Sequence, residues 1–266
     1  MSRVAALYRY PLKGFSPEPR DRLTILPTGR VAGDRVLGVR FADTPQPDDE
    51  WSPKTGMLAL VNTPALARLT TGFDERTGRL CVRQDGATLA DEALDDAGRK
   101  RLAAALEQFV LGLEESGLAG HPERLPLRVV GDGRTPRYQD NVAGQITLHG
   151  RASLAALAEA AGGDVDERRF RHNIVVEGAA PWEELDWLGR RIRIGAVEFE
   201  VARLKVRCLA THANPASGRR DLPVMSILTR SFGQDQPTFG VGLMPTAGGG
   251  EIRLDDDVEV LDQKGS

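Results

Sequence analysis

The sequence predicts a mainly β protein with a few helices, arranged as barrel-like sheet. Short apolar runs bounded by Gly or Pro recur along the chain, and few stretches carry a helical period. The composition, 41% hydrophobic and 27% charged over 266 residues, supplies a core that needs no disulfide or metal staple.

Val4, Ala6, Tyr8 and Tyr10 alternate ahead of Pro11, which predicts a first strand. Leu23–Leu26 and Val36–Val39 read as the next two. Thr63-Pro64 marks the start of a short helix, with Thr63 as its cap. Leu80–Arg83 and Thr88-Leu89 flank Asp85-Gly86, a hairpin turn because Gly accepts positive φ. Leu102, Leu106, Phe109, Val110 and Leu113 line one face of a helix over about Arg99 to Leu113. Gly117 to Pro126 then reads as a boundary between two halves.

Beyond it, strands are predicted at Leu127–Val130 and Gln145–His149, and a helix from Ser153 to Gly162-Gly163. Ile174–Val176 reads as a buried strand. Ile192 and Ile194, then Val197, Phe199 and Val201, form a hairpin around Gly195-Ala196. A helix bearing Val224, Ile227 and Leu228 precedes a closing strand at Val258–Val260, and Gly248–Gly250 reads as a loop.

A net charge of −3 disfavours nucleic-acid partners. Arg9 interrupts the first apolar residues and no run is long enough to span a bilayer, so a soluble cytoplasmic protein without a membrane partner is expected. Cys81 and Cys208 cannot build a disulfide framework or a four-cysteine iron–sulfur cluster. No Gly-x-Ser-x-Gly elbow, Walker loop, dinucleotide fingerprint or zincin pair is present. His121, His149, His172 and His212 lack metal-ligand spacing. Glu183, Glu184 and Asp186 could bind a hard cation, but the flanking Trp182 and Trp187 point to a docking loop instead.

The informative stretch runs from Asp166 to Gly218. Taken as an extended strand, Arg169 and Arg171 share one face with Phe170 behind them. Two neighbouring guanidiniums suit an anion, or they are surface arginines bridged to carboxylates. Cys208 follows Lys205-Val206-Arg207, and adjacent cations favour the thiolate, a nucleophile and soft metal ligand; an inert core cysteine is the alternative.

Arg169-Phe170-Arg171-His172-Asn173-Ile174-Val175-Val176, Pro181-Trp182-Glu183-Glu184, Trp187-Leu188-Gly189, Ile194-Gly195 and Arg207-Cys208, taken in this order, resemble the MOSC domain. That domain is named after the C-terminal part of molybdenum-cofactor sulfurase. Tyr10-Pro11-Leu12-Lys13-Gly14 and Gly33-Asp34-Arg35 resemble the β-barrel domain that precedes it. The resemblance implies two domains, 1–118 and 119–262, and the pterin-dithiolene molybdenum cofactor, with Cys208 as the metal ligand. It implies that Lys13, Arg35, Arg169, Arg171, Asn173 and Arg207 bind the cofactor. Relatives such as the amidoxime-reducing component imply an oxidoreductase that reduces N-hydroxylated or N-oxide-type small molecules, with electrons from a donor protein or small reductant. The alternative is a module that carries the cofactor, or sulfur as a persulfide on Cys208. Neither an iron–sulfur cluster nor pyridoxal phosphate is expected in this chain.

Four positions depart from the family pattern: Gly14 replaces Ser, His172 replaces Pro, Lys205 replaces a Cys found in many relatives, and Asn214 replaces Asp. His149, His172 and His212 are proton-donor candidates by residue type alone.

Overall fold

The computed structural model describes residues 1–261, so Asp262, the last residue of the second expected domain, lies outside the described residues. The strands of the first half are β1 (Ser2–Arg9), β2 (Glu18–Pro19), β3 (Arg22–Ile25), β4 (Gly38–Arg40), β5 (Leu69–Asp74), β6 (Arg79–Gln84) and β7 (Ala87–Ala93). Those of the second are β8 (Arg128–Val130), β9 (Ile146–Gly150), β10 (Ile174–Glu177), β11 (Arg191–Ile194), β12 (Val197–Val206), β13 (Thr238–Pro245), β14 (Gly250–Arg253) and β15 (Asp257–Leu261). The α-helices are α1 (Asp96–Leu111), α2 (Arg151–Ala161), α3 (Glu183–Asp186) and α4 (Val224–Phe232). The protein is mainly β, as the sequence predicts.

Strands β10, β9, β13, β12, β11, β15 and β1 lie side by side, and a β1–β10 pairing closes the ring into a barrel. Every pairing in it is antiparallel except β9 with β10, whose crossover runs through α2. Apolar side chains fill the interior: Val4, Leu148, Ile174, Ile192, Phe199 and Val241 are all fully buried. The ladder slips between Val4 and Ala6 of β1, so Val4 and Leu7 face the core and the predicted simple alternation breaks there.

A second core lies outside the barrel. The β5-β6-β7 meander packs with α1 and the β4–β8 pair around Leu66, Leu80, Leu102 and Leu106. The β6–β7 turn holds Asp85 at φ 50° and Gly86 at φ 85°, as the Asp-Gly signal requires. The two cores cross in sequence: β1 sits in the barrel, whereas β8 pairs with β4.

Several local expectations need correction. Thr63 precedes a 3-10 turn over Pro64–Arg68 but makes no capping bond. Helix α1 begins at Asp96, capped by the Asp95 carboxylate accepting from Gly98 N, and Leu113 falls outside it. Helix α2 starts at Arg151, because the Ser153 hydroxyl is committed to the buried Glu184. Glu184 also accepts from Gly150 N, and Trp187 is buried in the barrel core; the acidic stretch is therefore a structural clamp and not a docking loop.

Candidate functional site around Cys208

The end of β12 delivers Lys205, Arg207 and Cys208 to a cleft between the barrel and loops of the other core. The cleft has two lobes that share Arg35, Asp140, Arg171, Cys208 and Ala210. Lys13, Gly14, Leu60 and Val61 wall the first lobe; Gln145, Thr147, Lys205 and Arg207 wall the second. Cys208 is partly exposed and not disulfide-bonded; it precedes a 3-10 turn, Leu209–His212.

Tyr10 explains how two like charges are held together. Its ring is fully buried, with the Arg171 guanidinium carbon 4.4 Å and that of Arg35 4.8 Å from its centroid. The negative face of the ring attracts both cations. Arg35 and Arg171 both adopt positive φ, 52° and 56°, a conformation uncommon for long side chains and concentrated at functional sites. Arg35 pairs with Asp34 and donates to the Arg171 carbonyl at 3.2 Å; Arg171 donates to the Phe15 carbonyl. Burial, then Arg35, pushes the Arg171 pKa down to about 10. The Arg171 Nη2 atom is buried and has no partner.

Lys13 is buried and donates to the Tyr138 carbonyl at 2.9 Å and to Asp140 at 3.0 Å. In return Lys13, despite burial, holds the Asp140 carboxyl far below its ordinary range. Gly14 has φ +88°, and a Cβ there would stand 3.0 Å from the Leu58 carbonyl oxygen. The hydroxyl absent from this position therefore cannot be restored without moving backbone.

Arg207 donates to the Phe170 carbonyl at 2.7 Å and lies 3.2 Å from His172 Nε2. Guanidinium only donates, so His172 Nε2 accepts and His172 carries its proton on Nδ1. That proton faces His149 Nδ1 at 3.0 Å, which leaves His149 protonated on a buried, unpartnered Nε2. Burial, then Arg207, pushes His149 down to about 3 and His172 well below its ordinary value; both rings are neutral. His212 accepts from Met225 N, and burial lowers its pKa.

The shared strand face expected for Arg169 and Arg171 does not form. The Asp166 side chain accepts from Arg168 N and starts a 3-10 turn over Glu167–Phe170, which turns the two arginines apart. Arg169 borders the cleft, but its buried guanidinium donates to Asp221 at 2.6 Å and to the His212 carbonyl at 2.9 Å. It is not solvent-facing. Asn173 does not line the cleft: it donates to Asp34 at 3.3 Å and to the Tyr8 carbonyl at 3.1 Å, and thereby supports the carboxylate that orients Arg35. Cys81 lies on β6 and lines neither lobe of the cleft.

Tyr10, Asp140 and Gln145 were not legible as site residues. Only the Tyr10-Pro11 step before Lys13 hinted at one of them.

Residues 135–259 match the MOSC domain. The chain carries a MOSC domain. The cleft takes Arg171, Arg207 and Cys208 from inside it, whereas Lys13 and Arg35 come from outside. Curated relatives include molybdenum cofactor sulfurases of Caenorhabditis briggsae, 31% identical over 117 residues, and Anopheles gambiae, 33% identical over 130 residues. The matches take in 43% and 42% of this chain but only 16% of each relative. Among solved structures, YiiM from Geobacillus stearothermophilus aligns with a TM-score of 0.34 and 17% identity, over 44% of this chain and 54% of that one. The Bacillus subtilis YUAD protein aligns with a TM-score of 0.42 and 10% identity, over 98% and 96%.

Proposed function

We propose that this chain holds the pterin-dithiolene molybdenum cofactor in the cleft and reduces N-hydroxylated or N-oxide-type compounds with electrons from a donor protein or small reductant. The MOSC match and the relatives named molybdenum cofactor sulfurase support a molybdenum-cofactor-associated function in general. The observation that carries the reading is the donor set at Cys208. Arg171 Nη2 and Arg207 Nε are buried without an acceptor, beside a partly exposed thiol in the same cleft. Such orphaned donors fit an anionic ligand, and a thiolate fits a soft metal. Among the described residues no three His, Cys, Asp or Glu side chains converge as a metal site. The protein's share of a metal there is thus the one thiolate.

Lys13, Arg35 and Arg171 would hold the anionic end of the cofactor, and Cys208 would ligate the metal. When bound, the cofactor supplies a two-electron redox couple. The chain's own residues bind, orient and keep the charges balanced. Overall, R–NH–OH takes two electrons and two protons to give R–NH2 and water: the N–O bond breaks and the donor is oxidised.

The test is metal and pterin analysis of protein purified from a host that makes the cofactor, followed by turnover of an aryl amidoxime with a reduced dye. Stoichiometric molybdenum, no stoichiometric iron, and the amidine as product are the expected results. Bound cofactor without turnover assigns a cofactor carrier instead; no molybdenum under ample supply refutes both of these and leaves the persulfide carrier.

A further inference from the structure

Lys205 lines the cleft but is not among the proposed anchors of the cofactor, Lys13, Arg35 and Arg171. Lys13 already has Asp140, Arg35 has Asp34 and Arg169 has Asp221. Among the described residues Lys205 has no carboxylate within salt-bridge distance, and it stands in the second lobe with Arg207 and Gln145. The fold brings it there. Between Leu204 and Val206 the β12–β13 ladder slips, so that Phe239 and Gly240 together oppose Lys205. Such bulges twist a strand and re-aim the side chain across from them. Gly240, at φ +77°, is required by the packing, since a Cβ there would stand 2.4 Å from His172 Cε1.

A partly buried ammonium beside a guanidinium, with Asp140 acting on it only from beyond salt-bridge distance, gains when an anion joins it. Consistent with that, burial and Arg207 push the Lys205 pKa down to about 8. The anion need not be the cofactor's: of its proposed anchors Lys13 lines only the first lobe and Arg35 and Arg171 stand between the two, whereas Lys205 lines only the second.

We propose that Lys205 is a specificity-determining residue that makes the cleft select substrates carrying a carboxylate or comparable oxyanion. This rests on the reading of Cys208 as the reacting centre.

The experiment uses the cofactor-loaded full chain, with Lys205→Gln and the charge-conserving Lys205→Arg. The probes are an aryl amidoxime and its ring-carboxylated analogue, with molybdenum and pterin content measured on each preparation. Expected is a wild-type preference in kcat/KM for the carboxylated compound. In Lys205→Gln this ratio falls roughly tenfold, the scale of one charge-assisted contact, mainly through KM. Lys205→Arg retains most of the preference, and molybdenum content stays equal in all three. An unchanged ratio, or parallel loss of both activities together with molybdenum, overturns the proposal; the latter would make Lys205 a cofactor anchor. Calorimetric binding of benzoate, with benzamide as the neutral control, decides the matter without turnover. Roughly tenfold weaker benzoate binding in Lys205→Gln supports the role even if the redox reading fails. Equal benzoate binding overturns it.

Discussion

Acidification tests the neutral histidine pair most directly. The native fold refuses protons on His149 and His172, while the unfolded chain accepts them near the ordinary value of 6.5. Between the two values the unfolded state binds more protons, so stability falls as pH falls below about 6.5. With His149 at about 3 when folded, moving from pH 7 to pH 5 costs about 2 kcal/mol from this ring alone. His172 shifts in the same direction and adds to the loss. The assay is urea unfolding followed by tryptophan fluorescence at both pH values, for wild type and His149→Phe/His172→Phe. Phenylalanine suits the site, since both rings already pack on Phe170 and Phe239. The wild type should lose at least about 2 kcal/mol more than the variant over this interval. Equal losses, or a native-state NMR titration of either ring near pH 6, would refute the neutral histidine pair and with it the assigned acceptor for Arg207.

Cys208→Ser should abolish oxygen-transfer turnover and Cys81→Ser should leave it largely intact, measured with the reduced-dye assay, because a serine hydroxyl is a poor, hard ligand. Arg169→Ala should destabilise by about 1–3 kcal/mol, read from the urea midpoint, since it strips Asp221 and the His212 carbonyl of a buried donor. Arg171→Ala should chiefly release the cofactor, read as molybdenum and pterin lost on gel filtration. Gly240→Ala should cost more than about 2 kcal/mol in the same unfolding assay, because positive φ and the His172 contact oppose any side chain there.

Where chemistry is local, the sequence was readable. Asp85-Gly86 forced a hairpin, Gly162 ended α2 in the left-handed conformation, and Gly195-Ala196 joined β11 to β12. Strand β13 carries no clear sequence signal because Gly240 and Gly242 interrupt its apolar run, and both admit close neighbours. At Arg169-Phe170-Arg171 a strand period predicts one shared face, but one Asp166 capping bond selects a tight turn and sends the two arginines to different partners. Cys208, Arg207, Arg35 and Lys13 could be gathered through a resemblance between motifs. Tyr10 and Asp140 could not, because their roles come from contacts across the fold: Asp140 reaches back 127 residues to Lys13.

The closure of the barrel by β1 has a bearing on how the chain is made. Arg3 and Glu177, joined across the β1–β10 seam, are 174 residues apart in sequence. On a ribosome, β1 must wait, with only the short β2 beside it and without its barrel partners, while the entire second core is synthesised and free to condense around α1. Long loop closure of this kind slows folding, and until it happens β10 and β15 expose open edges that invite pairing between chains. An excised stretch running from β9 to β15 would carry those same two edges permanently. Supplying residues 2–9 in trans, as a peptide, is then the natural way to rescue it: a split barrel completed by its own missing stave.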